Sequence, residues 1–104
     1  MQLWTAEEAR MTAAKAVEGG LDVTFADGCR GILPWSEALG NESRDNVKSV
    51  RAGPSVVTVR LKHGEPIELP WDFVRAGIDP NYWERETAII RETQPKFIAR
   101  AQRD

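Results

Sequence analysis

The sequence predicts an α+β fold: a small antiparallel sheet from two pseudo-repeated β-meanders, at about residues 11–39 and 47–75, with a C-terminal helix. Three observations carry that expectation. Val23–Trp35, VTFADGCRGILPW, recurs thirty-six residues later as Val59–Trp71, VRLKHGEPIELPW. In each copy apolar and polar residues alternate ahead of a glycine-centred turn, the period of a half-buried strand. Beyond the second copy, Asp79-Pro80 precedes a run of apolar residues at approximate helical spacing.

Residues 1–20 come first and are the least regular. Thr5 followed by Glu8 has the spacing of a capping box, which predicts a short helical turn. Shifting the repeat backwards lays MTAAKAVEGGLDV on VKSVRAGPSVVTV, and this predicts a strand near Thr12–Val17 and a turn at Glu18–Gly20. Leu21, Val23 and Phe25 then share one face of a second strand. Asp27-Gly28 reads as a type I′ hairpin turn. A return strand over about Cys29–Leu33 stops at Pro34, which has no N–H to donate. Ser36–Leu39 can form one helical turn with Ser36 as its cap, closed by Gly40-Asn41.

Asn41–Asn46 reads as a polar joint. The second copy repeats the pattern, with strands at Val47–Ala52 and Val56–Lys62, a hairpin at Lys62-His63-Gly64, and a return over Glu65–Leu69. Pro70 stops it, and Trp71–Val74 begins a short helix ending near Gly77. Neither meander has two faces to bury, so the pair is expected to pack as one sheet or an open barrel. Asp79 is a good N-cap and Pro80 suits a first helical position. Tyr82, Trp83, Ile89, Ile90, Phe97 and Ile98 form the apolar stripe, with a break expected near Thr93 because Pro95 cannot continue a helix.

Length and composition bound the rest. A chain of 104 residues is one domain, here with a core at about 10–83 and a helical extension at 80–104. With 14 basic and 16 acidic residues the net charge is −2, which lacks the basic surplus of a free-standing nucleic-acid binder, so nucleic acid is not an expected partner. One cysteine, Cys29, forbids an internal disulfide and a multi-cysteine metal framework. Neither a membrane-spanning run nor a signal-peptide pattern is present, so the expected compartment is the cytoplasm.

LDVTFADGCRGILPWSEAL, with Phe25, Asp27 and Gly28 early and Gly64, Ile67 and Asp79-Pro80-Asn81-Tyr82 late, resembles a small bacterial family described as domain of unknown function 2442. The resemblance covers about residues 10–83 and leaves the doubled Leu-Pro-Trp as a departure. It implies a compact α+β fold and no established activity. It also implies pairing with small neighbouring proteins in toxin–antitoxin-like fashion.

No catalytic, metal-ligating or cofactor-binding constellation is expected. Cys29 and His63 lie beside different hairpins, and a thiol–imidazole pair needs hydrogen-bond contact. The glycines match neither nucleotide fingerprint, and Glu7-Glu8 and Glu84 with Glu86 read as exposed helix charge. The four tryptophans stand out. Trp35 and Trp71 occupy equivalent places, where each can plug one half of the core. Alternatively, Trp35, Trp71, Arg75, Tyr82 and Trp83 present a binding surface, since tryptophan is favoured at interface hot spots. Ile90, Phe97 and Ile98 are candidates for self-association as a homodimer. The expected function is a non-enzymatic protein-binding module, antitoxin-like or accessory to a mobile element. The alternative is a small-molecule binder holding a planar or hydrophobic ligand against Trp35 and Trp71.

Overall fold

A computed structural model describes residues 4–93. In chain order it contains β1 (Met11–Val17), β2 (Gly20–Phe25), β3 (Arg30–Pro34) and α1 (Trp35–Leu39). A 3-10 turn at Arg44–Asn46 leads to β4 (Val47–Ala52), β5 (Val56–Leu61), β6 (Ile67–Pro70), α2 (Trp71–Ile78) and α3 (Tyr82–Thr93). The fold is α+β with a C-terminal helix, as predicted. Each meander, however, is a sheet of its own, ordered β1-β2-β3 and β4-β5-β6. The expected single sheet or open barrel does not form. No ladder joins the sheets. β1 lies against β4, and the Met11 N–H reaches the Pro54 carbonyl at 2.8 Å.

The repeat holds to the level of register. Met11 pairs with Phe25 and Val47 with Leu61, and in both copies the register slips over the next step of the ladder. The Ala26 N–H donates to the Arg10 carbonyl and the Lys62 N–H to the Asn46 carbonyl, again thirty-six residues apart. Leu21 faces Leu33 as Val57 faces Leu69. These pairs put Leu21, Val23, Phe25 and Leu33 from one sheet, and Val57, Val59 and Leu69 from the other, into one core with Met11, Val47 and Val74. Burial of such side chains contributes about 1.5–3 kcal/mol each. β1 tolerates its alanines because most of its residues are exposed.

Local chemistry explains the turns. Thr5 and Glu8 form a reciprocal capping box: the Glu8 N–H donates to Thr5 Oγ1 at 3.2 Å and the Thr5 N–H to Glu8 Oε1 at 2.9 Å. A turn over residues 6–9 follows, and then β1. The first hairpin is not type I′, because Asp27 keeps a negative φ and only Gly28 is positive, at 96°. The Phe25 N–H instead closes on the Cys29 carbonyl across a three-residue loop, and Asp27 Oδ1 accepts the Cys29 N–H at 3.2 Å. Gly64 takes the matching position with φ 105°.

The helices diverge more than the strands. α1 starts after Pro34 with no side-chain cap, so Ser36 is not its cap; Gly40 closes it at φ 61°. α2 runs longer and lies on the first sheet's β3. A Cβ on Gly77 would sit 2.3 Å from Leu33 Cδ1, so any other residue there would have to displace the end of the Leu33 side chain. Asp79 and Pro80 do not open the last helix as expected: Asp79 caps the C-terminus of α2, and its Oδ1 accepts the Asn81 N–H at 2.9 Å in the turn that leads to α3 at Tyr82.

Candidate functional site

α2 is amphipathic. Trp71, Val74, Arg75 and Ile78 follow helical spacing and turn inward, while Phe73 faces out. α3 begins on the same side, with Tyr82 buried and Trp83 turned outward. The inward faces meet the N-terminal turn around Trp4. Its ring stacks on Tyr82 at 5.2 Å and meets Trp71 edge-on at 5.9 Å. Its indole N–H donates to Glu86 Oε1 at 3.0 Å, and the Arg75 and Arg85 guanidiniums lie over its ring.

Ion pairs surround this aromatic cluster. Arg75, buried against Phe25, donates from Nη1 and Nη2 to the two Asp27 oxygens and from Nε to Asp79 Oδ2 at 2.9 Å. Its Nη1 also reaches the Glu8 carbonyl at 2.8 Å. Burial works against the guanidinium's charge, but the Asp27 and Asp79 carboxylates outweigh it and push its pKa upward. Hydrogen bonding from Arg75 holds the Asp27 carboxyl below the usual range. Glu8 pairs with Arg85. Burial opposes the Glu8 charge, yet the Thr5 N–H and Arg85 hold its pKa down. Burial, reinforced by Glu86, pushes the Tyr82 hydroxyl up to about 12.

The outward faces of the same helices form a different surface. Phe73 is 45% exposed and Trp83 67%. With Ala76, Gly77 and Glu37 they line a shallow groove where α1, α2 and α3 converge. Trp83 also borders a neighbouring depression with Glu84, Thr87, Ala88 and Arg91. The groove offers aromatic and small apolar contacts with a carboxylate on its rim.

The five candidate binding residues are therefore divided. Trp35 is half-buried. Its indole N–H is shared between the carbonyls of Val17, at 3.0 Å, and Glu18, at 3.1 Å, and Arg44 lies over its ring. Trp71 packs against the core and Trp4. No ring contact joins Trp35 to Trp71 among the described residues. Arg75 and Tyr82 are interior, at 5% and 6% exposure. Trp83 alone of the five is fully presented. Of the self-association candidates, Ile90 is 46% exposed, while Phe97 and Ile98 lie outside the described residues.

Sequence reasoning passed over Phe73, whose signal was its place one position off the buried stripe of α2. It also passed over Trp4, which no repeat position marks. At the lone thiol, Cys29, burial pushes the pKa up, Arg75 opposes, and Asp79 and Asp27 reinforce the rise, so the protonated form is favoured. No group of three or more His, Cys, Asp or Glu is placed to hold a metal among the described residues. Nor is any described helix long and apolar enough to cross a membrane. Compared with family models, curated proteins and solved structures, the chain matches none.

Proposed function

We propose that the protein is a non-enzymatic protein-binding module, antitoxin-like or accessory to a mobile element, that takes its partner at the Phe73–Trp83 groove. One observation carries this reading: Trp83 stands 67% exposed beside Phe73, in a fold that packs or hydrogen-bonds its other described tryptophans. An aromatic side chain left in water at the meeting point of three helices is the composition of an interface anchor. The small Ala76 and Gly77 leave room for an inserted apolar side chain, and Glu37 suits a basic neighbour to it. Self-association as a homodimer, with Ile90, Phe97 and Ile98 as its candidate residues, belongs to the same proposal. The small-molecule alternative needs the Trp35 and Trp71 rings free, and both are engaged by the fold.

The test is nuclease-treated affinity purification of the tagged protein from its native host, in parallel with a Phe73→Ser/Trp83→Ala variant. One stoichiometric partner on the parent and none on the folded variant is the expected result. The same partner on both would rule the groove out, and an empty parent bait eluting as a homodimer would rule out the module.

A further inference from the structure

Between Asn46 and Gly64 the chain carries Lys48, Arg51, Arg60 and Lys62 and no carboxylate. β4 and β5 bring Lys48, Arg51 and Arg60 onto one surface. Ser49 stands opposite Arg60, and Arg51 opposite Thr58, on the face away from the buried Val57 and Val59. Arg60 lines one depression with Arg51, Gly53, Pro54 and Thr58 and a second with Lys48, Gly64 and Pro66, so the charges span a continuous strip. Lys48, Arg51, Arg60 and Lys62 are all exposed. None makes a salt bridge among the described residues.

The first copy supplies the internal comparison. Lys15, the counterpart of Arg51, stands opposite Asp22, and Asp22 is bonded to Arg30 at 2.8 Å. A carboxylate thus stands among the cations of that face. Over the equivalent stretch, residues 10–28, the first copy carries Arg10 and Lys15 with Glu18, Asp22 and Asp27, whereas in the second Thr58 replaces Asp22, Arg60 replaces Thr24 and Lys48 replaces Thr12. Glu68, opposite Thr58 on β6, bounds the strip on one side.

We propose that the outer face of β4 and β5 binds the phosphate backbone of nucleic acid. Lysine, arginine, serine and threonine are the side chains that contact phosphate oxygens, and Lys48, Ser49, Arg51, Thr58 and Arg60 are all of those types. The strip has no exposed aromatic or aliphatic anchor of the kind a protein interface centres on. The chain's net charge of −2 does not oppose this, because potential is local and every acidic residue lies outside this stretch.

The test is fluorescence anisotropy of a labelled single-stranded oligonucleotide and its duplex, titrated with the full chain across a salt series. Three or four phosphate contacts give a log–log salt slope of about −3 on duplex, and somewhat less on single strand. Arg51→Glu/Arg60→Glu is expected to weaken binding at least about tenfold, while Lys15→Glu on the first sheet leaves it unchanged. Circular dichroism checks that the variants are folded, and Arg51→Gln/Arg60→Gln carries the comparison if charge reversal unfolds the chain. No saturable binding at low salt, or equal binding by the double variant, overturns the proposal. Polyglutamate competing as well as an oligonucleotide of equal charge overturns the assignment to nucleic acid.

Discussion

Arg75 meets Asp27 as a two-pronged ion pair, Nη1 to Oδ1 at 3.0 Å and Nη2 to Oδ2 at 2.8 Å, across 48 residues of chain. The guanidinium is buried, and it also ties down Asp79 and the Glu8 carbonyl. One side chain thereby joins the N-terminal turn, the first hairpin, α2 and the entry to α3. Removing it leaves Asp27 and Asp79 without their shared cation. Arg75→Ala is expected to cost about 3 kcal/mol, the lower end for breaking a buried pair because Asp27 is partly solvated. The urea midpoint should fall with the slope unchanged. Arg75→Lys should recover only part of the loss, since an ammonium cannot match the forked geometry.

The same ion pairs set the acid limb of stability. Asp27 and Glu8 both have folded pKa values below their ordinary ones. A depressed carboxylate contributes stability above its unfolded pKa, near 4, and loses it as pH falls through the folded value. Thermal melts should therefore be flat from neutral pH to about 5 and fall below about 4. Arg75→Ala should flatten that acid limb.

Tyr82, the chain's single tyrosine, contributes to the alkaline limb alongside the raised Cys29 thiol. Its hydroxyl is pushed up to about 12, so the fold favours the neutral phenol. That contribution is complete below the unfolded pKa, near 10, and is lost as pH rises through the folded value. Ultraviolet titration should show one phenolate step displaced toward pH 12 in the folded protein and near 10 in urea. A folded-state step near 10 would mean that the ring is solvated.

The strands and their register were legible because burial writes itself into the sequence locally. Val23 on Val59 and Leu33 on Leu69 hold equivalent places in both copies. What was not legible depends on partners far away in the chain. Nothing near Arg75 announces that Asp27 and Glu8 will enclose it, so an arginine beside aromatic residues looked like a surface. Trp35 and Trp71 share a sequence position, yet only Trp71 has Trp4 against it. Asp27-Gly28 was read as type I′ from the dipeptide, whereas the Asp27 carboxylate organises a longer loop through the Cys29 N–H. Whole-chain charge likewise concealed the segregation of cations onto β4 and β5.

Gly20 marks where the copies stop being interchangeable. Its counterpart is Val56, and both begin the central strand of their sheet. A Cβ on Gly20 would lie 2.0 Å from the Leu33 carbonyl oxygen, a backbone atom that cannot move without opening the ladder. Gly20→Val, which makes the first copy resemble the second, is expected to cost about 3 kcal/mol, the upper range for overpacking. Chemical denaturation would measure it. A neutral result would show that the β2–β3 pair has room to part.

Trp4 and Trp83 separate the fold from the proposed site. Trp4 contacts Tyr82 and Trp71, receives two cations over its ring and donates to Glu86, so Trp4→Ala should destabilise by about 2–3 kcal/mol, somewhat less than a fully buried ring. Trp83 touches the Tyr82 edge at 5.1 Å but is otherwise largely in water, and Trp83→Ala should change stability by under about 1 kcal/mol. The two variants thus diverge. The first should lower the melting temperature, and the second should leave it nearly unchanged and remove the most red-shifted part of the tryptophan emission. Were Trp83→Ala as damaging as Trp4→Ala, Trp83 would be a structural residue of the monomer, and the groove would lose its anchor as a partner site.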